Sequence, residues 1–258
     1  PKLLEQQKDY QGASKSLIES ASEQTIQYPG ERLSQLEKAH ELALLTNSGE
    51  LIQESTARLN CAKVQSDINS QMISMETRNL IQSKLCNPME LMEIATKEDL
   101  PDCVLDLLAY QYSDSEIQKK EDAIECWMHY LEKVKDANLD SVVVNQLSKH
   151  PNSSINCPSL VIPIFEDFRR ANHLRKPWVY QILLEAGFSP SALVNVYSDL
   201  ALSEEADDEM KAHLALCALQ LISKGYDGNV SKLRELVMAL QDRSSADALE
   251  VLDRKSVV

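Results

Sequence analysis

Apolar residues return every three or four positions along nearly the whole chain, which is the period of an α-helix. No segment alternates apolar and polar residues long enough to demand a strand. Residues 2–25 carry Leu3, Leu4, Tyr10, Ala13, Leu17, Ile18 and Ala21 on this period. Pro29-Gly30-Glu31 then opens about four turns, with Leu33, Leu36, His40 and Ala43 on one face and Leu42 and Leu45 beside it. Asn47-Ser48-Gly49 reads as the stop of that helix, because Asn and Gly tolerate the left-handed C-terminal conformation. A long helix from Glu50 to about Ser74 is expected next, with the stripe Ala57, Cys61, Val64, Ile68, Met72 and Met75. Asn87-Pro88 and Asp99-Leu100-Pro101 start two short helices, the second with Val104, Leu107 and Leu108 inward. Ser115 is the cap expected for a helix bearing Ile117, Ile124, Trp127, Met128, Leu131 and Val134.

The second half repeats this grammar. Asp140-Ser141 opens a helix with Val142, Val143, Val144 and Leu147; the β-branched run favours a strand by propensity, but its flanks are helical. His150 to Ser159 is the longest loop-like stretch and the place for a soft internal boundary. Residues 160–173 form a helix with Pro163 in its first turn. Pro177 opens the next and Gly187 ends it, and Ser189-Pro190 caps another. Residues 205–224, 228–241 and 245–253 are the last three helices. The expectation is a single all-α domain over 1–258, an irregular α-solenoid of about a dozen antiparallel helices. No fixed period with a repeated spelling marks a regular repeat array.

Composition narrows the function. Six glycines in 258 residues leave little for phosphate loops. The net charge of -14 opposes direct binding to nucleic acid or an anionic membrane surface. The densest basic run, Arg169, Arg170, His173, Arg175 and Lys176, reads as a helix end whose cations offset the macrodipole. The six cysteines are spread without a C-x-x-C pair, so free thiols in a reducing compartment are expected. The absence of an initiator Met suggests a fragment of a longer chain.

Candidate chemistry is sparse. None of the five histidines sits in a zinc-binding spacing, and His40 and His213 fall on apolar faces as satisfied, partly buried side chains. The acids Glu204, Glu205, Asp207, Asp208 and Glu209 lack a calcium loop's glycine turn and sit where a helix begins. No nucleophile elbow or nucleotide fingerprint occurs, so no catalytic, metal or cofactor site is assigned and no small-molecule substrate is expected. Trp127 reads as core. Trp178, Tyr180, Phe188 and Tyr197 form the one candidate partner-binding cluster, because Trp and Tyr concentrate at binding hot spots; helix-hairpin core is the competing reading.

The succession "ASKSLIESASEQ", "ERLSQLEKAHELALL" and "GELIQESTARLNCAKVQSDI" resembles the C-terminal region of the large inner-ring scaffold nucleoporins. So does "WVYQILLEAGFSPSALVNVYSDL", through Trp178, Leu183, Gly187, Leu193, Tyr197 and Leu200. The match in order and spacing runs from about Ala13 to Leu200. Gln35 stands where that family often has an aromatic, and the link from His150 to Ser159 has no counterpart. The resemblance implies the far end of an α-solenoid that follows a β-propeller. It further implies a non-enzymatic scaffold of the nuclear pore complex at the nuclear envelope, binding scaffold and linker nucleoporins and so supporting pore assembly and transport. Proximity to the pore membrane would come from the propeller, which this chain lacks. An adaptor solenoid of another assembly, of the vesicle-coat or proteasome-lid type, is the alternative.

Overall fold

A computed structural model describes residues 9–22, 29–110, 116–175, 177–203 and 207–225. Among these, every regular element is helical. The chain divides into two compact units, Pro1–Lys119 and Lys120–Val258. The stretch 150–159 lies inside the second.

The first unit holds α1 (Tyr10–Ser22), α2 (Pro29–Leu44), α3 (Gly49–Ser70), α4 (Met75–Ser83), α5 (Pro88–Lys97) and α6 (Pro101–Tyr110). Short links fold α2 back along α1 and α3 back along α2, and α5 and α6 pack on each other and on α3. The α1–α2–α3 core is rich in small residues: Ala13, Ala21, Ala39 and Ala43 are fully buried there. Small side chains let the backbones approach, and Ser14 Oγ reaches across to donate to the Ala39 carbonyl at 2.7 Å.

Helix α3 serves two cores. Leu51, Leu59 and Ala62 face α1 and α2, whereas Cys61, Val64 and Ile68 face α4, α5 and α6. A helix buried on two sides has no single apolar stripe, which explains two corrections. Ala57 is exposed, because the inward positions of the first turns are Leu51, Ser55 and Leu59. Met72 and Met75 are 99 % and 70 % exposed, because α3 ends at Ser70 and their helical spacing continues past it. The Asn47-Ser48-Gly49 signal also acts differently from expectation. Ser48 is the N-cap of α3, accepting from the Leu51 N–H at 3.4 Å, and the left-handed conformation is not used there. Leu44 and Leu45 are correspondingly exposed at the end of α2. At α5 the sequence signal holds: Asn87 and Glu90 close a capping box with Pro88 in the first turn.

The second unit holds most of α7 (Glu116–Val134), then α8 (Leu139–Lys149), a 3-10 turn (Ser154–Asn156), α9 (Pro158–Ala171), α10 (Trp178–Glu185), α11 (Pro190–Leu202) and α12 (Asp208–Ser223). The loop expected over 150–159 is therefore shorter, and the β-branched run of α8 is helical, with Val143 and Leu147 buried. Pro163 lies inside α9, beyond its first turn, because the helix starts at Pro158. The proline ring removes one i→i−4 bond at that level. Met128 is exposed, since the inward face of α7 is set by Ala123, Trp127, Tyr130 and Leu131. Ser115 as a cap, Lys176, Glu204, Glu205 and the helices expected at 228–241 and 245–253 lie outside the described residues.

Aromatic rings form the spine of this unit. Trp127 meets Tyr130 edge-on at 5.6 Å and Phe165 at 5.2 Å, and Trp178 lies 6.1 Å from Phe165 and 6.0 Å from Phe168. Both indoles are satisfied: Trp127 Nε1 donates to the Ile155 carbonyl at 3.1 Å, and Trp178 Nε1 to Asp140 at 2.7 Å.

Candidate functional site

Helices α9, α11 and α12 frame a cavity of about 250 Å³. Its apolar lining comes from Pro163, Leu200, Met210 and Leu214, and its polar edge from Asp167, Arg170 and Asp207. The edge is held by ion pairs. Arg170 donates to Asp207 at 2.9 Å and to Asp167 at 3.3 Å. Asp207 also caps α12, accepting from the Met210 N–H at 2.7 Å. That backbone bond, and then Arg170, hold its carboxyl below the usual range, while Asp207 raises the guanidinium's affinity for its proton. Two carboxylates against one guanidinium leave this edge negative.

Among its described residues, the basic run predicted from sequence does not form an open cationic patch. Arg169 bonds Glu166 at 2.6 Å, Arg170 is shared by two aspartates, and Arg175 reaches Asp140 at 3.3 Å. His173 sits at φ 53 in the turn that ends α9.

The four aromatic candidates separate. Trp178, Tyr180 and Tyr197 are 2 %, 4 % and 0 % exposed, placed in the interior. Tyr180 donates to Gln220 at 3.2 Å and carries Lys224 over its ring at 5.0 Å. Phe188 is half-buried. It follows a corner whose Gly187 adopts φ +90, with Phe188 N–H bonded to the Leu183 carbonyl at 3.0 Å and Gly187 N–H to that of Leu184 at 3.0 Å. None of the four lines the α9–α11–α12 cavity.

The same three helices also hold a polar cluster whose members lie far apart along the chain. Glu166 is fully buried, yet it accepts from Tyr197 Oη at 3.2 Å, from Arg169 Nε at 2.6 Å and lies 2.8 Å from His213 Nε2. Cys217, one turn further along α12, places its sulfur 3.6 Å from the same imidazole nitrogen. Burial, then the Glu166 charge, push the Tyr197 phenol well above its ordinary pKa, so it stays a donor. His40 is satisfied differently, 3.1 Å from the Ser55 hydroxyl. All six cysteines are unbridged.

The sequence motif "ERL" owes its arginine to packing. Arg32, 2 % exposed, donates to the carbonyls of Ala21 at 3.1 Å, Ile81 at 3.3 Å and Lys84 at 2.9 Å. A cation there neutralises the negative C-terminal ends of α1 and α4. Gln65 bonds the same Ile81 and Lys84 carbonyls and accepts from Cys86 N–H at 2.9 Å.

The class this architecture defines is an all-α stack of helix hairpins of the irregular solenoid kind. Its particular fold is that of the nucleoporin Nup170 C-terminal domain. The structure of the Chaetomium thermophilum Nup170 CTD matches with a TM-score of 0.65 at 13% identity, over 87% of this chain and 51% of that one. A crystal structure of the same domain carrying four substitutions to methionine matches at 0.70 and 12% identity, over 98% of this chain and 59% of that one. The chain thus spans between 51% and 59% of the length of those solved structures. No family profile and no curated protein matches the sequence.

Proposed function

We propose that this chain is a non-enzymatic scaffold segment of the nuclear pore inner ring, acting at the nuclear envelope. It binds other nucleoporins, including linker segments, and so supports pore assembly and nucleocytoplasmic transport. The observation that carries this reading is the fold shared with the Nup170 CTD across 87% to 98% of the chain. The succession of motifs from Ala13 to Leu200 supports it independently of the fold. The α9–α11–α12 cavity offers the means: an apolar floor for one or two anchor side chains and a negative edge for a neighbouring Lys or Arg. Phe188 is the one candidate aromatic with surface to offer, and Trp178, Tyr180 and Tyr197 support from within. An extended segment ordered on binding holds with micromolar to sub-micromolar affinity, and the charge of -14 speeds its arrival when it is basic.

The test has two arms. A tagged full-length protein is expected at the nuclear rim and to copurify with nucleoporins from nuclear envelopes; recovery with a vesicle coat or proteasome lid overturns the reading. Pull-downs against individual nucleoporin segments should then find one whose binding falls at least tenfold in Met210→Glu. Thermal stability of that variant separates a blocked groove from a damaged fold.

A further inference from the structure

The geometry points to a zinc-class metal site inside the second unit, formed by Glu166 of α9 and by His213 and Cys217 of α12. One carboxylate oxygen, one imidazole nitrogen and one thiol sulfur lie within 4.8 Å of one another. Glu166 and Cys217 are 0 % and 2 % exposed and His213 is 9 % exposed. The donors converge from two helices, and His213 and Cys217 stand four residues apart, which puts them on one face of α12. A mixed nitrogen, sulfur and carboxylate set suits Zn²⁺, and it suits Mg²⁺ or Ca²⁺ poorly, since those ions take oxygen ligands.

The present contacts describe the same site holding a proton. His213 Nε2 lies 2.8 Å from Glu166 Oε2 and 3.6 Å from Cys217 Sγ, so hydrogens shared among these atoms occupy the place where a cation would meet all three donors. Binding exchanges those hydrogens for the metal. The Cys217 thiol gives up its proton to solvent and binds as thiolate, the imidazole binds through Nε2 with a hydrogen on Nδ1, and Glu166 binds as carboxylate. As one Zn²⁺ enters, the protons these three donor atoms held leave to solvent.

Arg169 is the obvious objection, because its Nε bonds the same Glu166 oxygen at 2.6 Å. A carboxylate oxygen has two lone pairs, and the metal needs only the one that faces His213. Arg169 on Oε2 and Tyr197 on Oε1 then act as the outer partners that hold a ligating carboxylate in place. Arg169 also offsets one of the two negative charges that the metal would meet. Such a metal would pin α9 to α12, two of the helices that frame the proposed groove, although the inference does not depend on that groove.

The test uses the whole chain, freed of metal under reducing conditions and titrated with Zn²⁺ and with Co²⁺ as a spectroscopic stand-in. The expected result is one equivalent bound, a sulfur-to-cobalt charge-transfer band with intense visible bands, release of protons as Zn²⁺ binds, and a Tm rise of about 5 °C at saturating Zn²⁺. Cys217→Ala and His213→Gln should each lose the band, while Cys157→Ser, which removes the half-exposed thiol, should keep it. Circular dichroism of the metal-free variants guards against loss of fold. A wild-type chain without the band at one equivalent, or a band that survives Cys217→Ala, overturns the site and leaves the cluster as hydrogen-bonded packing only.

Discussion

The two units stack helices by the same rule but satisfy one buried charged side chain each, Arg32 and Glu166, in opposite ways. The first closes its helices on alanine and serine, and its buried cation, Arg32, is answered by main-chain carbonyls. The second packs its helices around aromatic rings, and its buried Glu166 is answered by the side chains of Arg169, Tyr197 and His213. The difference follows from where each side chain sits along a helix. Arg32 reaches the C-terminal ends of α1 and α4, where carbonyls lack an intrahelical partner and accept from one long donor. Glu166 lies in the middle of α9, where the backbone is already paired, so other side chains must satisfy it.

The largest effect is expected in the second unit. Glu166→Ala strands Arg169 and the Tyr197 hydroxyl in the interior, and removing one partner of a buried ion pair costs about 3–5 kcal/mol. Urea unfolding of the whole chain measures this. Glu166→Gln keeps the volume and the Tyr197 bond, so it should lose less than Glu166→Ala. Equal losses would mean that the negative charge, rather than the network's shape, is what the unit needs.

Arg32→Ala is the matching change in the first unit. It withdraws the donor from three carbonyls, but Gln65 still serves two of them, Ile81 and Lys84. The expected loss is about 2 kcal/mol, smaller than for Glu166→Ala. If Arg32→Ala proved the more damaging, the main-chain solution would be the less redundant of the two, and the comparison would reverse.

These two residues also show what could be read in advance. Helix period and cap signals located most helices, because both act within a few residues of sequence. Arg32 was visible only as one letter of "ERL", since its partners lie 11, 49 and 52 residues away. Glu166, Tyr197 and His213 come from three separate helices, and the local hints were the i, i+4 spacing of His213 and Cys217 and the i, i+3 spacing of Glu166 and Arg169. Trp178, Tyr180 and Tyr197 had composition in common with a binding surface, but only packing places them inside. The exposed Met72 shows the converse: spacing carries no record of where a helix stops.

A smaller, opposite effect is expected at helix ends. Helices α5 and α9 both finish with a left-handed residue, Asp99 at φ 57 in the first unit and His173 at φ 53 in the second. Each makes the paired bonds of a Schellman turn; for His173 these are His173 N–H to the Arg170 carbonyl at 3.3 Å and Leu174 N–H to that of Arg169 at 3.0 Å. His173 is exposed, so a glycine there loses little packing and relieves the backbone strain. His173→Gly should raise stability by about 1 kcal/mol, read as a higher denaturation midpoint with an unchanged slope.

The finest contrast concerns two carboxylates at helix N-termini, Asp207 exposed and Glu98 half-buried. Asp207 of the second unit is answered by a backbone N–H and by Arg170. Glu98 of the first is answered at the start of α4 by the Ser74 hydroxyl at 2.6 Å, the Thr77 hydroxyl and the Ser74 N–H at 2.9 Å. Those hydrogen bonds, that of the Ser74 side chain foremost, bring the Glu98 carboxyl down from 4.5 to about 2. A carboxyl depressed by folding stabilises only while it is ionised. Its contribution is therefore complete above the unfolded value of 4.5 and disappears as pH falls through the folded value of about 2. The stability gap between wild type and Glu98→Gln should hold from pH 7 to about pH 5 and close toward pH 2. Because Glu98 depends on neutral donors, about 1 M salt should leave that gap nearly unchanged, whereas the gap for Asp207→Asn should shrink as Arg170 is screened. A Glu98 gap that collapses in salt would assign its effect to Lys97 and the wider field, and the division between hydrogen-bonded and ion-paired units would not extend to their surfaces.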